Sequence, residues 1–315
     1  MRVLMFGRGV ISTIYAHALQ DAGHDVEFHV REGRAEQYGD EVVMDLLDAR
    51  RTPLGRQSRN VVRTRLRESF EPSDAFDLVV LSVGHHHLSA ASEYIAPRLG
   101  DATVLVLGNV WGEPLAAVAP IPASQILFGF PQAGGGFDDA GILHGAVMRT
   151  VILGTSGTAP VAREIAVRNL FRQAGFVVRE EKDIRGWLWL HFIADVGMHA
   201  QGRRYGGLAN MVGDRQAFRD AFLIGHELLP VLEARGVDLR RHRSAVLPFR
   251  LPAQTSAVIA WASTRFRIAR VSLAAHTDPN LPEPRAVVRD GLYEARRLGV
   301  PTPLLDASLS AEFGR

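Results

Sequence analysis

His191, Asp195 and His199 recur at intervals of four residues, so on a helix they share one face within about 80° of arc. Their neighbours Leu190, Phe192, Ile193 and Val196 are apolar, and a polar stripe on an otherwise apolar helix is costly unless its groups are paired or used. Three chemistries fit. An imidazole poised by a carboxylate acts as acid and base near neutral pH. His-x3-Asp-x3-His also offers metal-ligating types on one face, although three residues spread over two turns converge poorly on one ion. A structural, hydrogen-bonded stripe is the third. A separate run, His85-His86-His87, follows an apolar strand-like segment, where it either lines a site or forms an exposed loop.

The other chemistry-bearing segment lies at the start of the chain. Gly7-Arg8-Gly9-Val10-Ile11-Ser12 directly follows the strand-like run Arg2–Phe6 and opens a helical stretch. In such a loop the first glycine permits the tight turn, and the second lets a pyrophosphate approach the backbone. Free N–H groups at the helix start then meet the negative charge. Ser12 stands where a third glycine usually allows close helix–strand packing, and it is small enough to do so. A strand–turn–helix context followed by a second strand makes this a dinucleotide-binding loop. The second strand reads Glu27-Phe28-His29-Val30-Arg31, with Arg34 close behind. NAD-specific sites place Asp or Glu at this strand end to take a ribose 2′-hydroxyl, and here Arg31 stands there. A guanidinium suits a 2′-phosphate through bidentate, charge-assisted hydrogen bonds, so Arg31 predicts NADPH/NADP+ rather than NAD(H). Gly134-Gly135-Gly136, after another apolar run, either admits cofactor close to the backbone at Gly135 or forms a flexible loop.

These residues need a scaffold. Val3–Phe6, Val26–Val30, Leu78–Val83, Val104–Leu107 and Ile126–Phe128 read as short strands, alternating with helical stretches such as Ile11–Asp21 and Leu88–Leu99. A helix from Pro160 to about Ala174 and a strand around Phe176–Arg179 complete the pattern. The alternation predicts an α/β fold, a Rossmann-like doubly wound parallel sheet with right-handed crossovers. From Trp187 onward helical periodicity takes over, near 187–201, 215–235, 255–270 and 285–298. Pro282 and Pro284 read as a loop between helices. Residues 1–182 are therefore expected to form the nucleotide-binding domain, and residues 183–315 an all-α substrate and catalytic domain.

Composition narrows the function classes. The 315 residues contain no cysteine, which excludes disulfides, thiolate zinc sites, iron–sulfur clusters and a cysteine nucleophile. Lys182 is the single lysine among 36 basic residues, and the net charge is only +2. Arg240-Arg241-His242-Arg243 lacks interleaved aromatics and reads as a solvated helix end, so no nucleic-acid partner is expected. No apolar run approaches the roughly 18 residues of a membrane span. The N-terminus enters a strand directly, without the pattern of a secretory signal, so a cytoplasmic location is expected.

Taken in order, the chain resembles the ketopantoate reductase (2-dehydropantoate 2-reductase) family. The resemblance is carried by the Gly7–Ser12 loop, Gly23-His24-Asp25-Val26, Arg31, and Asp77-Leu78-Val79-Val80-Leu81-Ser82-Val83. It continues through Asn109 with Gly112, Trp189, and Gly299-Val300-Pro301-Thr302-Pro303. It implies a Rossmann domain followed by a helical domain of the 6-phosphogluconate dehydrogenase type. It also implies cofactor contacts at Ser82, Val83, Gly84 and Asn109, with Asn109 near the nicotinamide and substrate. The family's ribose- or substrate-binding glutamate corresponds to Glu283, and a substrate-binding serine to Ser272. The family lysine after the fourth strand is replaced by Gly84. The lysine that protonates the substrate carbonyl is replaced by His191, and two asparagines further along that helix by Asp195 and His199.

The expectation is therefore an NADPH-dependent reductase of a small, 2-keto-acid-like oxo compound other than ketopantoate. His191 is its proton donor, with Glu283 in the catalytic group and Asp195 and His199 on the substrate. A dehydrogenase working in the oxidative direction and a catalytically lapsed NADPH-binding regulator are the alternatives. A homodimer is the expected assembly.

Overall fold

Apolar runs that are buried on both faces form parallel strands covered by helices, and the central strands of this chain follow that rule. A computed structural model describes residues 1–155, 161–274 and 282–310. Among them are β1 (Arg2–Phe6), β2 (Asp25–His29), β3 (Glu41–Asp48), β4 (Arg56–Arg63) and β5 (Leu66–Arg67). Next come β6 (Leu78–Leu81), β7 (Thr103–Leu107) and β8 (Ile126–Phe130). The last four are β9 (Ala133–Phe137), β10 (Leu143–Val147), β11 (Thr150–Gly154) and β12 (Val177–Glu181). Every residue of β6 and β7 is buried.

Eight strands form one sheet in the order β12-β11-β8-β7-β6-β1-β2-β5. Its pairs are parallel except β11 with β8. Registers such as Val3 beside Val26 and Leu78 place the β1 carboxyl end between those of β2 and β6. The helices of this part are α1 (Val10–Asp21), α2 (Arg34–Tyr38), α3 (Leu88–Ile95), α4 (Pro114–Ala117) and α5 (Ala162–Gln173). The predicted α/β, parallel-dominated sheet is present. The predicted start of α5 after Pro160 falls where Pro160 itself lies outside the described residues.

A second sheet, β4-β3-β10-β9, is absent from the sequence expectations. β3 pairs antiparallel with β4, and β10 lies parallel to β3. It covers α1: a Cβ built on Gly145 would meet Ile14 Cδ1 at 3.0 Å. The polar, arginine-rich run Arg56–Arg63 conceals β4, because only Val62 of that strand is fully buried.

The chain divides into two compact units, Met1–Ile184 and Arg185–Arg315. The second is helical: α6 (Ile184–Tyr205), α7 (Arg215–Glu227), α8 (Leu229–Ala234), α9 (Arg243–Arg250) and α10 (Ala253–Ser263) precede α11 (Arg267–Ala274), α12 (Pro282–Arg297) and α13 (Pro303–Ser310). The predicted stretch 215–235 is two helices, because Pro230 starts the second. The stretch 255–270 likewise breaks between Ser263 and Arg267. The expectation that Pro282 and Pro284 form a loop is corrected: both belong to α12. First-turn N–H groups have no intrahelical acceptor, so proline removes nothing there. α12 crosses α6 closely, and a Cβ on Gly291 would lie 2.6 Å from Val196 Cγ2. Among the described residues no helix is long and apolar enough to cross a membrane.

Candidate active site

The carboxyl ends of the central strands collect most of the predicted cofactor residues. β1 ends at Phe6 and α1 begins at Val10, leaving Gly7, Arg8 and Gly9 as the turn. Gly7 has φ +97°, a conformation that glycine adopts without strain. Its N–H donates to the His29 carbonyl at 2.9 Å, which ties the loop to the end of β2. No side chain caps α1, so its first turn presents backbone N–H groups and the positive end of the helix dipole to an anion. A Cβ built on Gly7 or on Gly9 would meet no atom within 4 Å. The space beside the loop is open, as a pyrophosphate pressed against the backbone requires. Val10 and Ile11 are half-buried in the first turn. Ser12 is fully buried, and its hydroxyl has no hydrogen-bond partner.

Arg31 follows β2 after Val30 and begins the turn into α2, its carbonyl accepting from Arg34 N–H at 3.0 Å. It is exposed, and its guanidinium has no hydrogen bond or ion pair among the described residues. Glu68, just after β5, accepts from the Ala35 N–H at 2.9 Å. Bonds from Ala35 and Gly33 hold its carboxyl below the usual range, so the start of α2 is already capped by an anion. Beneath this turn His29 is buried, stacked on Phe6 at 4.7 Å and bonded through Nε2 to the Tyr94 hydroxyl at 3.0 Å.

Ser82, Val83 and Gly84 are half-buried and lead from β6 into a short 3-10 turn, His85–His87. His85 is half-buried, whereas His86 and His87 are exposed. Asn109 is half-buried just beyond β7. The two loops adjoin: a Cβ on Gly108 would lie 3.7 Å from the Val83 carbonyl oxygen. All these segments flank the junction of β1 with β6, where strand order reverses and open α/β sheets bind their ligands.

Gly135 requires a correction. It is neither a flexible loop nor a strand end; it lies within β9 and pairs with Gly145 of β10. A Cβ there would meet the His144 carbonyl oxygen at 2.6 Å and Val10 Cγ1 at 3.0 Å. Packing of the second sheet on α1 accounts for this glycine.

In the second unit α6 carries the polar stripe. His191 Nε2 lies 3.5 Å from Asp195 Oδ1, with the two side chains 33% and 24% exposed, so a small molecule can reach both. The Trp187 ring, one turn before, stacks on the imidazole at 5.4 Å with 10° between planes. The spacing 187–191 carried that signal, which the sequence expectations did not use. His199 is buried, 9% exposed. Glu283 stands in the first turn of α12, where desolvation and then the Asp195 carboxylate hold its carboxyl above the usual glutamate range. The residue itself remains exposed, so its carboxyl is crowded without being sealed. Ser272 is half-buried on α11, and among the described residues no hydrogen bond or ion pair links it to this group. The structure therefore pairs His191 with Asp195, and Asp195 in turn acts electrostatically on Glu283. Among the described residues no group of three or more His, Cys, Asp or Glu side chains could hold a metal ion.

Residues 3–157 match the profile of the ketopantoate reductase PanE/ApbA family. Among solved structures, the 2-dehydropantoate 2-reductase of Geobacter metallireducens GS-15 is 17% identical, with a TM-score of 0.70 over 98% of each chain. A D-mandelate dehydrogenase in complex with NADH is 14% identical, with a TM-score of 0.69 over 98% of this chain and 96% of that one. The dimeric ketopantoate reductase of Staphylococcus aureus is 13% identical, with a TM-score of 0.62 over 98% and 96%. At these identities the likeness is one of fold. No curated protein sequence matches the chain.

Proposed function

We propose that the chain, whose residues 3–157 match the profile of the ketopantoate reductase family, is a member of that family and an NADP(H)-dependent oxidoreductase. It interconverts the carbonyl and alcohol of a small, 2-keto-acid-like compound other than ketopantoate. The observation that carries this reading is the open glycine cradle at the uncapped start of α1, with an unpaired arginine closing the next strand. Gly7, Arg8, Gly9, Val10 and Ile11 hold the pyrophosphate through their backbone, and Arg31 takes the 2′-phosphate. Ser82, Val83, Gly84 and Asn109 line the nicotinamide end. When bound, the reduced nicotinamide supplies the hydride for the substrate carbon.

His191 delivers the proton to the carbonyl oxygen in reduction and removes it from the hydroxyl in oxidation. Asp195, one turn along α6, orients the ring, and stacking on Trp187 fixes its plane. Burial and the Asp195 carboxylate hold the Glu283 carboxyl above the usual glutamate range, and Glu283 contacts the ribose or a substrate hydroxyl. His199 and Ser272 are the remaining polar contacts for substrate.

Loss of both family lysines, at Gly84 and His191, is the observation favouring a second reading, a cofactor-binding protein without turnover. Absorbance of NADPH over a panel of 2-keto acids and cyclic oxo compounds tests the first; NADPH binding with no turnover on that panel leaves the second. Ketopantoate reduction at about 10⁴ M⁻¹s⁻¹ or better would overturn the substrate assignment. We further propose a cytoplasmic homodimer, on the precedent of the dimeric Staphylococcus aureus enzyme, tested by sedimentation.

A further inference from the structure

We propose that Arg8 is a second cationic contact for the cofactor's 2′-phosphate, and with Arg31 a determinant of cofactor specificity. This rests on the NADP(H) reading above. The Arg8 side chain leaves the phosphate loop and its guanidinium lies 4.3 Å from the centre of the Tyr38 ring and 5.4 Å from that of Phe137. Tyr38 closes α2 and Phe137 closes β9, so the cation is gripped beside the segment that follows β2. Aromatic faces stabilise a guanidinium from above and below, but its N–H donors point in its own plane. Nε and Nη1 are buried with no hydrogen-bond partner; Nη2 remains as the accessible corner of the fork. A half-buried cation with unused in-plane donors is poorly compensated without an anion. Burial accordingly works against its charge.

The position of the grip selects the anion. Backbone N–H groups at Gly9 and the start of α1 already serve a pyrophosphate. At α2 no such service is available, because the Glu68 carboxylate occupies its first N–H groups. Glu32 and Glu36 add further negative charge to the same segment. Arg34 is engaged with Gln37. A phosphate on the ribose 2′-oxygen is therefore best held there by guanidinium groups, and among the described residues Arg8 and Arg31 make no hydrogen bond or ion pair through theirs.

The test compares ligands that differ only by that phosphate. Dissociation constants for 2′,5′-ADP against 5′-ADP, and for NADPH against NADH, are measured by calorimetry on the full chain and on Arg8→Met. The expected result is a roughly 10- to 100-fold loss for 2′,5′-ADP and NADPH, with 5′-ADP and NADH held within about threefold. Equal losses for all four ligands would place Arg8 on the pyrophosphate or in the fold, and would overturn the proposal. No loss for any ligand overturns it as well. If Arg8→Met does not fold, Arg8→Lys keeps the charge without the fork; a loss confined to the 2′-phosphorylated ligands supports the assignment, and no such loss overturns it. A wild-type chain that binds neither dinucleotide would instead sink the oxidoreductase reading itself.

Discussion

Nε2 of His191 lies 3.5 Å from Oδ1 of Asp195, one turn apart on the same helix, with the Trp187 ring stacked flat on the imidazole. A structural pair and a catalytic pair leave different traces. His191→Asn keeps a hydrogen-bonding side chain but removes the proton donor. The expected result is a fall in kcat of about 10²–10⁴, with NADPH affinity held within a few-fold. Thermal stability should change little, because the ring is one-third exposed. A fully active but less stable variant would return the pair to a structural role.

Asp195 also faces Glu283. Desolvation first, and the Asp195 carboxylate second, raise the Glu283 carboxyl above its ordinary value of 4.5. A raised carboxyl binds more protons folded than unfolded, so its contribution to stability is present below pH 4.5. That contribution is lost as pH rises through the folded value. Asp195→Asn removes the second cause and should move the Glu283 titration downwards without returning it fully to 4.5. Carbon-13 carboxyl NMR across pH 3–8 reads this directly. An unchanged Glu283 titration would show that the two carboxyls do not interact.

The central sheet and the polar stripe were legible in the sequence because both are written in local periodicity. β6 and β7 are unbroken apolar runs, and His191, Asp195 and His199 repeat every four residues. The second sheet was not legible. β4 carries three arginines and β9 three consecutive glycines, since one strand faces outwards and the other needs room against α1. Both signals imitate loops. The sequence offers Arg8 as a cofactor-loop residue without a role for its side chain, because its aromatic partners come from α2 and β9, remote in sequence. Glu283 and Ser272 rest on resemblance alone, and of the two only Glu283 interacts with the pair, through the Asp195 carboxylate.

The packing role of Gly135 inside β9 has its own test. Gly135→Ala places a Cβ 2.6 Å from a backbone oxygen, so something must shift. Overpacking of this kind costs about 1–3 kcal/mol. Urea denaturation should show that loss, while the NADPH dissociation constant of folded protein stays within a few-fold. A stable variant with selectively lost NADPH binding would restore the cofactor role.

Arg31 is exposed and unpaired at the end of β2. Charge-assisted hydrogen bonds to a 2′-phosphate contribute roughly 1.5–3 kcal/mol, or about one to two decades in dissociation constant. Arg31→Ala should remove most of the preference for NADPH and leave NADH affinity nearly unchanged. Equal affinity of the wild-type chain for the two dinucleotides would remove the basis of the assignment.

His29 supports the glycine-rich loop Gly7–Gly9, since its carbonyl accepts the Gly7 N–H while its ring is enclosed by Phe6, Phe70 and Tyr94. Burial, with Arg98 and Arg67 adding to it, lowers its pKa from 6.5 to about 4. The sign follows from linkage. Between those two values the unfolded chain binds a proton that the folded chain refuses, so stability falls as pH falls from about 6.5 to about 4. At 1.36 kcal/mol per pKa unit the loss approaches about 3 kcal/mol at the acid end. Other groups titrate in the same window, so the informative quantity is the difference between wild type and His29→Phe at each pH. The variant loses the bond to Tyr94 and starts lower at neutral pH, yet it has no imidazole to protonate. The gap should narrow steadily as the solution is acidified from pH 7 to 4, and urea denaturation at half-unit steps measures it. A gap that stays constant would mean that His29 accepts its proton without cost, and that the pocket beneath the glycine-rich loop opens readily to water.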